Sequence, residues 1–196
     1  MLPNTLTILR LICVPFILIL AASSDKDRLA LGLALFLFAA LTDWLDGFIA
    51  RARKSITLFG TIMDPVTDKI LILGLLLVFY HKDLLPLWLV LVNLFRELFV
   101  SGIKQAKSAD GRIIGANWTG KVKFCVQAVG LSWIFLYLII AQGDADIATR
   151  RLVVYYSVLF MTIVSIALAF IFFRWHSKGM LQQQAQGEVK HRTVEH

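Results

Sequence analysis

The sequence has few charged residues, few prolines and only two cysteines, and each scarcity excludes a class of protein. Charged residues make up 17% of the chain, well below the roughly 25% of soluble domains. Four prolines and 12 glycines exclude a collagen-like chain, and so little polar sequence excludes intrinsic disorder. Two cysteines cannot make a disulfide scaffold. Cys13 and Cys125 lie in apolar runs, so we expect buried free thiols.

Long apolar runs are what the sequence has in excess. Hydrophobic residues make up 58% of 196 residues, more than one soluble core of that size needs. Short alternating segments, the pattern of a membrane β-barrel, are missing. The apolar runs could instead be buried helices of a soluble protein, but little polar sequence would then remain to face water. The uncharged windows are Leu11–Ser24, Leu29–Thr42, Ile70–Tyr80, Leu84–Phe95, Phe124–Gly143 and Leu152–Phe173.

These windows predict an all-α integral membrane protein with six transmembrane helices in one bundle. Only the last two windows reach the roughly 20 residues that a bilayer requires, so the other helices must continue through charged residues. Ionisable residues inside a membrane are costly and are candidates for function. The predicted helices cover about residues 5–22, 28–52, 60–81, 84–107, 118–141 and 147–175. Residues 1–176 would form one six-helix transmembrane domain, and residues 177–196 a polar cytoplasmic tail.

The basic residues predict the orientation of the bundle. Of the 20 Lys and Arg residues, 15 lie near the N-terminus or in the segments around the ends of helices two, four and six. In a bundle of six spanning helices these segments lie on the same side of the membrane as the N-terminus. The positive-inside rule then puts both termini in the cytoplasm. The net charge of +7 is therefore attributed to cytoplasmic loops and anionic lipids, and no nucleic-acid partner is expected.

Four aspartates and several small residues occur at helical spacing between residues 42 and 69. Offsets of three, four and eight residues put side chains on one helix face, and two such faces are joined by a short turn. The first set is Asp43, Asp46, Gly47, Ala50 and Arg51, and the second is Gly60, Asp64 and Asp68. Four carboxylates repel one another unless cations neutralise them, and hard divalent cations prefer oxygen ligands. The pattern favours a site for two divalent ions, Mg²⁺ or Mn²⁺, which suits substitution at phosphorus.

The small residues and the arginine of this pattern fit a phosphorylated ligand. Gly47 and Gly60 allow the close approach of a ligand or another backbone, and Ala50 also leaves space. Arg51 would donate to phosphate oxygens. Packing between helices is the alternative explanation for each glycine taken singly.

The whole pattern resembles the signature of the CDP-alcohol phosphotransferase family, with eight positions at fixed spacing over 26 residues. The resemblance implies a two-metal site, a CDP-linked substrate, CMP as leaving group and a homodimer. It assigns the metals to Asp43, Asp46, Asp64 and Asp68, and the general base to Asp68. It also implies that CDP-diacylglycerol lies along Gly47, Ala50, Arg51 and Gly60, at the cytoplasmic ends of helices two and three.

A second group of basic residues resembles one branch of this family. The opening Pro3-Asn4-x2-Thr7-x2-Arg10 is similar to bacterial phosphatidylglycerophosphate synthases and to related cardiolipin synthases. In that branch a basic cluster would hold the acceptor's phosphate, although Lys104 stands where its pattern has arginine. Arg96 lies beside Glu97 in an apolar run, which predicts an ion pair or a role in a pocket. The candidate acceptor residues are Arg96, Lys104, Arg112, Lys121 and Lys123.

The resemblance implies transfer of a phosphatidyl group from CDP-diacylglycerol to glycerol 3-phosphate, giving phosphatidylglycerol phosphate and CMP in phospholipid biosynthesis. A basic pocket suits this acceptor because its phosphate is dianionic. Another acceptor, chiefly phosphatidylglycerol, would make a cardiolipin synthase. A divalent-cation transporter and a non-catalytic scaffold are alternatives of other classes. The aspartates crowd one pair of helix ends, which argues against a transporter.

Overall fold

The protein is an all-helical bundle. The computed structural model describes the backbone of residues 2–53, 58–109, 118–141 and 146–194, and the side chains of residues 9–42, 66–103, 105, 120, 122–141 and 146–174. Within these residues the chain forms six α-helices, and the prediction of six helices is confirmed. They are α1 (Leu2–Ala22), α2 (Lys26–Arg53), α3 (Leu58–His81), α4 (Leu87–Ala109), α5 (Trp118–Ile140) and α6 (Ile147–Val194).

The six helices pack as a ring in the order α1, α2, α5, α6, α4 and α3, because each helix makes its main contacts with its two neighbours in that order. Three aromatic side chains fill part of the interior. The rings of Phe36 and Phe135 stack with centroids 6.1 Å apart, and the ring of Phe79 meets Phe135 edge-on at 6.3 Å. Such offset and edge-on pairs are the favoured arrangements of aromatic rings. These contacts tie α2, α3 and α5 together inside the bundle.

The connections α1–α2, α3–α4 and α5–α6 lie together at one end of the bundle, which we call the Lys82 end. Lys82 Nζ donates to the carbonyl oxygens of Ala21 at 3.2 Å and Ser23 at 2.6 Å, and so caps α1. Arg151 Nε donates to the Asp83 carbonyl at 2.8 Å, which joins α6 to the turn after α3. The starts of α1, α3 and α5 therefore lie at the opposite end of the ring.

The turn after α3 has the hydrogen bonds of a Schellman motif. Leu84 N donates to the Phe79 carbonyl, and Asp83 N donates to the Tyr80 carbonyl. Asp83 takes a φ of 56°, a left-handed conformation that aspartate tolerates better than most residues. This compact turn aims Lys82 at the end of α1.

The outer faces of the helices are apolar. Phe95, Phe99 and Val129 are 69%, 68% and 70% exposed, and every helix carries further large apolar side chains on its outside. Soluble monomers rarely expose apolar surface on this scale. Among the described residues, two helical stretches are long and apolar enough to cross a membrane, Val122–Ile140 and Ile147–Arg174, and a shorter apolar stretch covers Leu9–Ala22.

Two expectations need correction. Helix α6 does not end near residue 175 but continues to Val194. The tail is polar, yet it is rich in glutamine, which favours a helix in water as well as in lipid. Cys13 and Cys125 are both free as expected, but Cys125 is exposed on the outer face of α5 and Cys13 is only half-buried.

Candidate active site

Asp68 lies at a cleft between α1, α2, α3 and α5. The cleft has a volume of about 340 Å³, and the described side chains that line it are apolar except for Arg10 and Asp68. The Arg10 side chain is 2% exposed, and its Nη1 lies 3.7 Å from Oδ1 of Asp68, whose side chain is 31% exposed. A partly exposed carboxylate thus lies in the wall of an otherwise apolar cleft. The apolar lining is formed by Phe36, Ala39, Ala40, Leu71, Ile72, Phe124, Ala128 and Leu131.

The other residues of the aspartate pattern lie in the last turns of α2 and the first turns of α3. Their backbones lie near the end of α2 and the start of α3, and their side chains lie outside the described part of the chain. The convergence of the four carboxylates and the roles of the small residues therefore stay predictions. This applies to Asp43, Asp46, Gly47, Ala50, Arg51, Gly60 and Asp64.

A second polar site lies between α4, α5 and α6. Glu97 is 4% exposed, and its Oε1 accepts hydrogen bonds from Arg96 Nη2 and from Lys123 Nζ. The side chain of Gln127 also hydrogen-bonds to Glu97. The expected pairing of Arg96 with Glu97 is confirmed. Two cations around one buried carboxylate leave this cluster with a net positive charge, as a site for an anion requires.

The two cations line a pocket of about 270 Å³, which we call the anion pocket after the positive charge of its walls. The polar side chains in its lining are those of Arg96, Lys123 and Ser165, and Gly120 also lines it. Glu97 is not part of the lining. The remaining walls are apolar side chains of α4 and α6. The two sites share α5 as a wall, since Phe124 lines the cleft of Asp68 and the preceding Lys123 lines this pocket.

Two of the five predicted acceptor residues, Arg96 and Lys123, meet in this pocket. Lys104 and Lys121 lie on α4 and α5 with side chains outside the described set, and Arg112 lies outside the described backbone. Their part in the pocket stays a prediction.

Two residues were not predicted as part of either site. Arg10 interrupts the first apolar run and ends the N-terminal motif of the resemblance, but neither signal assigned it to a site. Ser165 is 1% exposed on α6 and lines the anion pocket. A single serine in an apolar helix carries no such signal, because serine is common where membrane helices pack.

A buried polar contact joins α4 to α6 beneath this pocket. Asn93 Nδ2 donates to Thr162 Oγ1 at 2.8 Å and to the Leu89 carbonyl at 2.9 Å. Thr162 Oγ1 in turn donates to the Val158 carbonyl at 2.7 Å. Such contacts between membrane helices contribute about 0.6 kcal/mol on average. They hold α6, and with it Ser165, against α4.

Apolar outer faces around charged groups buried between helices are the architecture of a membrane protein with an internal polar site. The family profile of CDP-alcohol phosphatidyltransferases matches residues 1–173. The chain therefore belongs to the CDP-alcohol phosphatidyltransferase family and is a transferase, which excludes the transporter and scaffold hypotheses.

Several bacterial relatives are similar along most of their length. The CDP-diacylglycerol–glycerol-3-phosphate 3-phosphatidyltransferase of Bacillus subtilis is 34% identical over 148 residues, which are 69% of this chain and 77% of that protein. The protein of the same name from Escherichia coli is 34% identical over 139 residues, 67% of this chain and 75% of that protein. That of Wigglesworthia glossinidia brevipalpis is 31% identical over 168 residues, 80% of this chain and 90% of that protein.

Proposed function

We propose that the protein transfers the phosphatidyl group of CDP-diacylglycerol to glycerol 3-phosphate, forming phosphatidylglycerol phosphate and CMP. The observation that carries the proposal is the position of Asp68, a partly exposed carboxylate at the mouth of an apolar cleft. A lipid substrate needs such a junction, because its chains must stay in an apolar medium while its phosphates react. The names of the relatives from Bacillus subtilis and Escherichia coli support the choice of acceptor.

The residues of the aspartate pattern fit two divalent cations, Mg²⁺ or Mn²⁺. The donors are carboxylates of Asp43, Asp46, Asp64 and Asp68 on two consecutive helices, and Asp68 is accessible from the cleft. Oxygen ligands of this kind suit hard cations. When bound, the cations would neutralise the diphosphate and stabilise the developing charge at phosphorus.

The chain's own residues would carry out a single displacement. Asp68 takes the proton from the primary hydroxyl of glycerol 3-phosphate, and that oxygen forms a bond to the β-phosphorus of CDP-diacylglycerol. The bond from this phosphorus to the bridging oxygen breaks, and CMP leaves with that oxygen. Gly47, Ala50, Arg51 and Gly60 would line the cytidine diphosphate. The protein contributes mainly by positioning the two substrates and stabilising charge.

The pocket between α4, α5 and α6 would hold the phosphate of the acceptor. Arg96 and Lys123 supply positive charge there, and we expect Lys104, Arg112 and Lys121 to extend the basic surface. The pocket and the cleft of Asp68 meet at α5, where the adjacent residues Lys123 and Phe124 line the pocket and the cleft. Their adjacency supports an acceptor whose phosphate binds in the pocket while its hydroxyl points to the cleft.

We further propose that all six helices span the inner membrane of a bacterium with both termini in the cytoplasm, and that the protein is a homodimer. The apolar outer faces of the helices and the distribution of lysine and arginine support the topology. A protease-protection assay on inside-out vesicles, with a tag on each terminus, tests it. Protection of either tag would contradict the orientation. Mass measurement of the detergent-solubilised protein tests the dimer.

An acceptor panel tests the reaction. The purified protein is mixed with CDP-diacylglycerol and with glycerol 3-phosphate, glycerol or phosphatidylglycerol, with Mg²⁺, with Mn²⁺ or with EDTA. We expect release of CMP only with glycerol 3-phosphate and a divalent ion, together with phosphatidylglycerol phosphate as product. Release with phosphatidylglycerol but not with glycerol 3-phosphate would instead support a cardiolipin synthase.

A further inference from the structure

Glu97 lies behind the cations of the anion pocket rather than in it. It is buried on α4, and one of its oxygens accepts from both Arg96 and Lys123. Arg96 and Lys123 line the pocket, whereas Glu97 does not. A ligand in the pocket would therefore touch the two cations and not the carboxylate that joins them.

Two residues that line the pocket also have buried polar atoms without a partner among the described residues. Arg96 Nε and Ser165 Oγ are buried and have no hydrogen-bond partner among the residues that the structure describes. The Arg96 side chain is 8% exposed, and its Nη1 donates to the Ser165 carbonyl at 3.4 Å. Buried polar groups are almost always paired, so a ligand that brings acceptor oxygens would complete this wall.

We propose that Glu97 is a positioning residue for the acceptor: it holds the side chains of Arg96 and Lys123 in the orientation that receives a phosphate monoester. The proposal rests on the proposed function, which makes this pocket the site of the acceptor's phosphate. Glu97 touches neither substrate and acts through the two cations.

The physical basis is conformational entropy. Arginine and lysine have long side chains with many rotamers, and a ligand that must immobilise them binds more weakly. Glu97 bridges two helices by bonding α4 to Lys123 of α5, and Gln127 supports it from α5. Both cations are thus held before any ligand arrives.

Removal of the carboxylate distinguishes positioning from simple charge balance. Glu97→Gln raises the net charge of the three-residue cluster by one unit. If Glu97 only offsets charge, a dianion should bind more tightly to the variant. If Glu97 positions the cations, the dianion should bind more weakly despite the added positive charge. The two roles therefore predict opposite changes in KM for glycerol 3-phosphate.

The experiment measures kcat and both KM values for the full-length protein in mixed micelles. For Glu97→Gln we expect KM for glycerol 3-phosphate to rise about tenfold, while KM for CDP-diacylglycerol changes less than about twofold. Asp25→Asn is the matched control, because Asp25 forms an exposed pair with Arg28 at the Lys82 end. An unchanged or lower KM for glycerol 3-phosphate in Glu97→Gln overturns the proposal.

A second variant covers a failure of Glu97→Gln to fold. Glu97→Asp keeps the charge but shortens the side chain by one methylene, so it cannot bridge both cations as well. We expect an intermediate KM for glycerol 3-phosphate, and a KM equal to that of the unchanged protein overturns the positioning role. Protection against thermal unfolding by glycerol 3-phosphate, without CDP-diacylglycerol, gives the same ranking without turnover.

Lys123→Met separates this inference from the function on which it rests. If Lys123→Met leaves KM for glycerol 3-phosphate unchanged, the pocket is not the acceptor site and the role of Glu97 is wrong with it, while the reaction itself stands. If the unchanged protein shows no turnover with glycerol 3-phosphate, the proposed function fails. If Lys123→Met raises that KM and Glu97→Gln does not, the pocket stands and only the role of Glu97 is wrong. A rise in both variants supports both.

Discussion

Arg10 of α1 and Asp68 of α3 form an ion pair between two packed helices, with Nη1 3.7 Å from Oδ1. The arginine is buried, and the aspartate opens onto the apolar cleft. A buried guanidinium has few ways to be satisfied, so it fixes the position of the carboxylate that it contacts. α1 therefore supports Asp68, the proposed general base, although α1 contributes no residue to the aspartate pattern.

Asp68→Asn tests the general base. The amide has the shape of the carboxylate but cannot accept the proton of the attacking hydroxyl, so we expect an intact fold and a fall in kcat of about 10²-fold or more. The release of CMP from CDP-diacylglycerol measures it, and Asp25→Asn at the Lys82 end is the control. A variant that keeps even a tenth of the rate would show that another group takes the proton.

Arg10→Met tests the support that α1 gives to Asp68. Without the guanidinium the carboxylate is free to shift, and a misplaced catalytic group costs roughly 10²-fold in rate, so we expect kcat to fall about tenfold or more. Arg10→Lys should be intermediate, because lysine keeps the charge but not the planar fork. Arg28→Met, which removes an exposed arginine, is the control. Equal rates for Arg10→Met and the unchanged protein would mean that Arg10 serves packing alone.

The sequence predicted the helices well because apolar windows bounded by charges mark membrane helices closely. It misplaced the end of α6, because polarity marks where a chain leaves the membrane and not where its helix ends. Arg10 and Ser165 escaped prediction for a different reason. Their roles depend on which helices are neighbours in the ring, and Arg10 meets α3 while Ser165 meets α4 only after folding.

The resemblance to a family was needed for the ligands. Helical spacing indicated that four carboxylates share two faces, and charge repulsion indicated cations, but neither identifies a CDP-linked lipid. The pairing of Arg96 with Glu97 followed from two opposite charges side by side in an apolar run. The contact of Lys123 with Glu97 could not be predicted, because it depends on the distance between α4 and α5.

Ser165→Ala tests the contribution of α6 to the anion pocket. The hydroxyl is buried at the pocket wall, and a hydrogen bond to a phosphate is charge-assisted, so we expect KM for glycerol 3-phosphate to rise roughly five- to tenfold. Ser157→Ala is the matched control, since the Ser157 hydroxyl on the same helix donates to the Val153 carbonyl at 2.7 Å. If both variants have the KM of the unchanged protein, Ser165 does not reach the acceptor.

The contribution of Lys82 to the stability of the protein changes with pH in the alkaline range. Burial lowers the pKa of Lys82 below its usual 10.5, and the positive charge of Arg150 lowers this pKa further. Between the lowered folded pKa and 10.5 the unfolded chain binds more protons at this site than the folded protein does. The free energy of unfolding therefore increases through Lys82 as the pH rises across that window. Below the folded pKa this increase is absent.

Thermal unfolding midpoints in detergent, measured from pH 8 to 10.5 for the unchanged protein and for Lys82→Met, isolate this contribution. We expect the difference in midpoint between the two to shift in favour of the unchanged protein as the pH rises, because only its half-buried Lys82 loses a charge that burial disfavours. Lys26→Met, which removes an exposed lysine at the same end, should show a constant difference. A constant difference for Lys82→Met as well would mean that Lys82 keeps its ordinary pKa while it caps α1.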